Sequence, residues 1–257
     1  MRYILDILVD FGLAWRLLTI IPLPSVPENV ARPAGRAAAY YPLVGLILGL
    51  LLAGTGWLFY WLLPVGVATA LLLAIWAGLT GLLHLDGFMD ACDGLIPPRD
   101  SARRLEIMKD SQVGAFGVVG VILLLLLKFN GLLALPAVSR WPALIIIPVL
   151  ARWAMTWAMA RYPLARTEGL SIFFKAGLGW LQVGIASVIT IWVTLGFFGV
   201  QGITLLAVTW FTTILVARFA IARVGGLTGD IYGATCEVTE VVLLITVIVM
   251  QFGESGA

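Results

Sequence analysis

The chain is short of charge. Of its 257 residues only 12% are Asp, Glu, Lys or Arg, about half of the ~25% that a soluble domain carries. That shortage, with a mean hydropathy of +1.04, excludes an ordinary water-soluble domain. Alternation is missing as well. Runs such as "VILLLLL" and "ALIIIPVL" never alternate, whereas a membrane β-barrel needs segments of about ten alternating residues. The net charge is only +2, and no nucleic-acid partner is expected. Cysteine is scarce: Cys92 and Cys236 form no CxxC pair. Both lie in acidic segments on the side read below as cytosolic, so they are expected to be reduced, buried small residues. A cleavable leader is not apparent, because the first stretch carries Asp6, Asp10 and Arg16 and lacks the small-residue cleavage pattern.

What the chain does have is apolar runs of about 20 residues, repeated along its length, the signature of a polytopic helical membrane protein. Candidate spans are 40–63, 64–84, 113–135, 140–160, 178–200, 201–222 and 234–252. These seven spans follow an amphipathic helix within 1–21, expected to be interfacial or half-buried. The expected fold is all-α, a single membrane domain over 1–257 with the bundle in 40–252, since no polar stretch is long enough to fold alone. Segments 22–39, 85–112, 161–177 and 223–233 hold Arg32, Arg36, Arg99, Arg103, Arg104, Lys109, Arg161, Arg166, Lys175 and Arg223. The alternate connections hold almost nothing; Arg140 borders one. The excess of basic residues puts the first set in the cytoplasm. Most acids lie on that same side, which places function there.

The densest acidic stretch is "HLDGFMDACDGL", residues 84–95. Asp86, Asp90 and Asp93 are spaced i, i+4, i+7 and share one helix face. Three like charges at a membrane boundary need compensation, and hard oxygen donors suit Mg²⁺ or Mn²⁺. His84 ends the preceding apolar span, placed to ligate, to act as a base, to contact phosphate, or simply to sit at the interface. A second stretch, "GGLTGDIYGATCEVTEVV", gives Asp230, Glu237 and Glu240, spaced i, i+7, i+10. Glu237 and Glu240 lead into an apolar span, where a carboxylate is a functional candidate, and with Asp230 they are expected to join the aspartates around the metal. "GLTG" itself occurs at 78–81 and at 226–229, each time shortly before acids.

Cations accompany the acids. "RRLEIMKDSQVGAFG" brings Arg103, Arg104 and Lys109 beside Asp110, and "ARYPLARTEGL" brings Arg166 and Glu168. Basic residues beside carboxylates suit a phosphate with its metal, although positive-inside anchoring would also account for Arg103 and Arg104. Arg152 and Arg218 fall inside spans, where each needs an acidic partner or an anionic substrate. Lys128, also within a span, is read as a structural residue that snorkels outward. Acids for a divalent ion and arginines for phosphates argue phosphoryl transfer at a cytosolic membrane face, on a substrate that is bulky, amphipathic or membrane-bound.

"HLDGFMDACDGL", "IMKDSQVGAFGVVG", "ARYPLARTEGL" and "GGLTGDIYGATCEVTE", in this order, resemble the cobalamin synthase family. These are the adenosylcobinamide-GDP ribazoletransferases of vitamin B12 nucleotide-loop assembly. The resemblance implies an inner-membrane transferase using Mg²⁺. It would join adenosylcobinamide-GDP to α-ribazole or its 5′-phosphate and release GMP. Carried onto this chain, Asp86, Asp90 and Asp93 would be metal ligands, with Asp230, Glu237 and Glu240 completing the site or activating the hydroxyl. Lys109, Arg103 and Arg166 would steady phosphates, with Asp110, Glu168, Arg152 and Arg218 counted among the substrate-binding residues. Beyond substrates and bilayer, a homo-oligomer or association with other enzymes of B12 assembly stays open. Two rival readings compete with this one. A CDP-alcohol phosphotransferase would carry D-x2-D-G-x2-A-R-x8-G-x3-D-x3-D, which is absent here. A transporter would suit the intramembrane charges and the repeated GLTG, but the acids gather at one face rather than at mid-membrane.

Overall fold

A computed structural model describes residues 2–23, 33–110, 112–166 and 170–255. Helix α1 (Arg2–Leu18) opens the chain. It turns Ala14, Trp15 and Leu18 inward and leaves Ile4, Leu5, Ile7 and Leu8 exposed, as an interfacial helix does. A 3-10 segment, Ala34–Tyr40, runs straight into α2 (Tyr41–Leu62). Then come α3 (Val65–Leu79), α4 (Leu83–Leu95), α5 (Ser101–Ile107), α6 (Ala115–Ala134), α7 (Ala137–Arg161) and α8 (Leu170–Lys175). The bundle closes with α9 (Trp180–Phe198), α10 (Gln201–Val224) and α11 (Gly229–Ser255). Among the described residues six helical stretches are long and apolar enough to span a membrane, and α3 with α4 makes a bent seventh. The expected all-α membrane bundle is therefore what the chain forms.

The centre of the bundle is α7. Its apolar window is 89% buried, against 22–33% for the spans of α2, α6, α9 and α10, so those helices face lipid and α7 does not. Helix α2 lies against it through "GLILG". A Cβ on Gly45 would come within 2.5 Å of the Pro148 carbonyl oxygen, and one on Gly49 would collide with the backbone at Ile145. Small residues spaced by four let two membrane helices approach to backbone contact, where dispersion does the work that hydrophobicity cannot do in lipid.

The span expected at 64–84 does not run straight. Helix α3 stops at Leu79, and α4 leaves at 87° to it. The corner is built from successive residues with positive φ, Gly81 at 59° and Leu82 at 62°. The carbonyl of Leu79 that the corner frees accepts a hydrogen bond from Ile20 N at 3.0 Å. The motif "HLDGFMDACDGL" is thus helical, as its spacing requires, but it lies across the bundle against α6 and α11 rather than continuing α3.

Candidate functional site

Two glycines bring the two acidic stretches together. A Cβ on Gly87 of α4 would sit 3.0 Å from Asp230 Cα, and one on Gly233 of α11 would sit 3.1 Å from the His84 carbonyl oxygen. Contact this close is open only to residues without side chains at the crossing. It sets Asp86 and His84 beside Asp230, and all three line one cavity of about 310 Å³.

Arg166 reaches the same cavity through a second device. Leu227 N donates to Pro163 O and Ala165 N donates to Leu227 O, both at 2.9 Å. These bonds pair the loop after α7 with the second GLTG turn. Arg166 Nη2 donates to Leu105 O at 2.9 Å, and Nη1 stands 3.9 Å from Asp230 Oδ2. Asp230 Oδ2 also accepts from Thr228 Oγ1 at 3.1 Å. Lys175 of α8 donates to the Tyr162 carbonyl, and partial burial pulls its pKa below the ordinary value; it fastens α8 to the same loop. Asp90, half-buried one turn along α4, feels the charges of Asp230, Asp86 and Asp93, opposed by Arg166. Negative charge is in excess at this mouth.

The structure gives several expected site residues other tasks. Asp93 Oδ2 accepts from Gly114 N and Oδ1 from Gly117 N, both at 2.8 Å. A carboxylate on the free N–H groups of a helix start is a cap, so Asp93 docks α6 onto α4 instead of facing the cavity. Glu237 and Glu240 are 4% and 0% exposed. Lys128 donates to both, and Arg152 donates to Glu240. These acids are therefore neutralised inside the bundle rather than offered to a metal, because Lys128 and Arg152 already supply the charge. Arg152, expected among the substrate-binding residues, is engaged by Glu240, and Lys128 turns inward instead of snorkelling out, its ammonium 5.0 Å from the Trp76 ring centroid. Of the intramembrane charges that suited a transporter, Arg152 and Glu240 are thereby joined with Lys128 and Glu237 in one buried network.

Further out, Arg103 is exposed and pairs with Glu106 at 2.9 Å. Lys109 and Asp110 are exposed beyond α5, and Asp110 Oδ1 accepts from Gln112 N. Arg218 lies on the outer face of α10, between exposed Leu215 and Phe219. None of these four lines the cavity. Arg104 is buried, and its guanidinium donates to the carbonyls of Gly94, Leu95 and Arg99, closing the C-terminal end of α4. Glu168 and Arg32 lie outside the described residues. Both cysteines are free and buried, as expected. Sequence reasoning missed Tyr41 and Tyr232, which also line the cavity. Nothing in "AAAYYPL" or "GDIYGA" marks them, since a tyrosine at a span's end is an ordinary interfacial residue.

Among the described residues no three acidic, histidine or cysteine side chains converge into a ready-made metal cage. Asp86 and Asp230, two hard oxygen donors on one wall, are the donor set an ion needs when it keeps its waters and arrives with a phosphate, which is how Mg²⁺ is usually bound.

No solved structure matches the chain. Its sequence matches the cobalamin-5-phosphate synthase family over residues 10–248. It is 41% identical over 241 residues to the adenosylcobinamide-GDP ribazoletransferase of Geotalea daltonii, covering 93% of this chain and 96% of that one. The enzyme of the same name from a Roseiflexus species is 39% identical, over 91% of this chain and 87% of the relative. That from Desulforamulus reducens is also 39% identical, over 93% and 96%. A family match over nearly the whole length, with relatives at this identity, makes the chain a member of the cobalamin-5-phosphate synthase family.

Proposed function

We propose that this chain transfers the cobinamide phosphate group from adenosylcobinamide-GDP to a hydroxyl of α-ribazole or its 5′-phosphate and releases GMP. The observation that carries the reading, beside family membership, is the cavity where Asp86 of α4, Asp230 of α11 and Arg166 meet. Phosphoryl transfer asks a protein to position groups and neutralise charge rather than to make new bonds. Arg166 stands loosely against Asp230, so its Nη1 can turn to a pyrophosphate oxygen. The acceptor's hydroxyl oxygen bonds to the cobinamide-side phosphorus. The bond from that phosphorus to the bridging oxygen breaks, and GMP leaves with that oxygen. The hydroxyl proton passes to a carboxylate at the mouth and on to water.

Magnesium is part of the proposal. Asp86 and Asp230 would hold it, with Asp90 adding to the negative field; once bound, the ion supplies charge neutralisation at the phosphate oxygens. The protein is an integral membrane bundle, and the excess of basic residues on the site's side argues for the cytoplasmic membrane with the cavity open to the cytosol.

The test is direct. Detergent-purified protein is given adenosylcobinamide-GDP, α-ribazole and Mg²⁺. GMP and the ribazole-linked corrinoid should appear in equal amounts, and both should stop with EDTA. Full activity in EDTA removes the metal from the proposal; no product at any metal concentration removes the reaction.

A further inference from the structure

The cavity has a charged mouth and a greasy, differently equipped interior. Asp86, Asp230 and Arg166 hold the mouth. Inside, Leu18, Met155 and Met159 form apolar wall, and three polar side chains break it: Tyr41, His84 and Tyr232. These are only 1%, 1% and 4% exposed. The Tyr41 and Tyr232 hydroxyls and His84 Nε2 are buried and have no hydrogen-bond partner among the described residues. A buried polar atom left unmet costs about 1–3 kcal/mol, and three of them in the wall of one cavity point to something that enters and pairs with them.

Resting on the transferase reading above, we infer that this inner pocket seats the flat nitrogen heterocycle of the acceptor nucleoside, gripped by Tyr41, Tyr232 and His84. Size and chemistry select it from the three bulky parts of the two substrates. A corrinoid ring with its side chains is far too large for about 310 Å³. A guanine edge presents several amide and amine donors together, which call for a carboxylate or amide beside them, and the carboxylates here stand at the mouth. A mainly apolar bicyclic base with one ring nitrogen in its glycosidic bond has a single acceptor left, which one tyrosine hydroxyl satisfies, while the other tyrosine and His84 pair with hydroxyls of the attached ribose. Thioethers such as Met155 and Met159 pack well against an aromatic ring. With the base inside, the attached ribose reaches outward to the mouth, where its hydroxyl meets the phosphorus held by Asp86, Asp230 and Arg166.

The test measures binding without turnover. α-Ribazole is titrated calorimetrically into the full-length protein in detergent, and adenosylcobinamide-GDP is titrated separately. Tyr41→Phe and Tyr232→Phe should each weaken α-ribazole about tenfold, the size of one lost hydrogen bond in a buried site. Affinity for adenosylcobinamide-GDP should stay within twofold. Neither Phe variant breaks a bond made in the unliganded protein, so their unfolding temperatures should not fall below wild type. Met159→Phe, which narrows the pocket without touching the polar groups, should also weaken α-ribazole selectively. Wild-type affinity for α-ribazole in all three variants, or a loss that falls on adenosylcobinamide-GDP instead, overturns the assignment. The GMP-release assay reads the transferase proposal separately, so a protein that releases GMP yet binds α-ribazole equally in every variant loses only this pocket.

Discussion

Asp230 and Glu240 sit ten residues apart on one helix and face opposite demands. Asp230 stands in a cavity wall with its side chain 24% exposed and one loose cation 3.9 Å away. Glu240 is sealed, with Lys128 and Arg152 both bonded to it. Removing one partner of a buried ion network leaves an uncompensated charge, a loss of about 3–5 kcal/mol. Glu240→Gln should therefore lower the unfolding temperature in detergent markedly, while the protein that does fold keeps its Mg²⁺ dependence. Asp230→Asn should do the reverse, with near-normal unfolding and GMP release down about 100-fold or more, as expected for a group that acts on transition-state charge. Unfolding scans and initial rates on the two variants separate the roles; equal stability losses with equal activity losses would merge them. The sequence marked both acids as site candidates but could not sort them. The sorting cations come from α6 and α7, and a pattern of spacing along one helix carries no information on what stands opposite.

At the scale of elements, the site depends on how close α4 comes to α11. Gly87→Ala adds one methyl group 3.0 Å from both the Asp230 Cα and its carbonyl oxygen, where backbone cannot yield as a flexible side chain would. The helices must part by a few tenths of an ångström. The expected result is a fall in GMP release of at least tenfold, since misplacing reacting groups is costly, with overpacking costing about 1–3 kcal/mol of stability. Ala at Gly54, which has open space around it, should leave rates at the wild-type level; loss of activity at both positions would mean that glycine itself, not the crossing, matters. The spacing i, i+4, i+7 made the helix of α4 legible, and the apolar runs made nearly every span legible. The corner was not. Hydropathy sums apolar residues and passes smoothly over Gly81 and Leu82, whose positive φ values turn the chain. Spacing along α4 also says nothing of the start of α6, whose N–H groups donate to Asp93.

For the whole molecule, the distribution of basic residues is the argument for a cavity mouth that faces the cytosol. Single cysteines at Ser101, exposed at the start of α5, and at Val138, 76% exposed at the other side of α6, test this in a background with Cys92 and Cys236 replaced by alanine. Ser139 would be a poor reporter because it is 4% exposed. An impermeant maleimide added to intact cells should label the cysteine at 138 and spare the one at 101; the opposite pattern would invert the bundle. The central claim is narrower than orientation. It holds that carboxylates far apart in sequence, Asp86 and Asp230, form one working site at the junction of α4 and α11. The most direct measurement is GMP release by wild type, Asp86→Asn, Asp230→Asn and the double variant across a Mg²⁺ titration. Groups that act as a unit are strongly non-additive. Each single variant should lose about 100-fold and require more Mg²⁺, and the double variant should fall little further. Single variants near the wild-type rate at saturating Mg²⁺, or losses that multiply in the double variant, would contradict it.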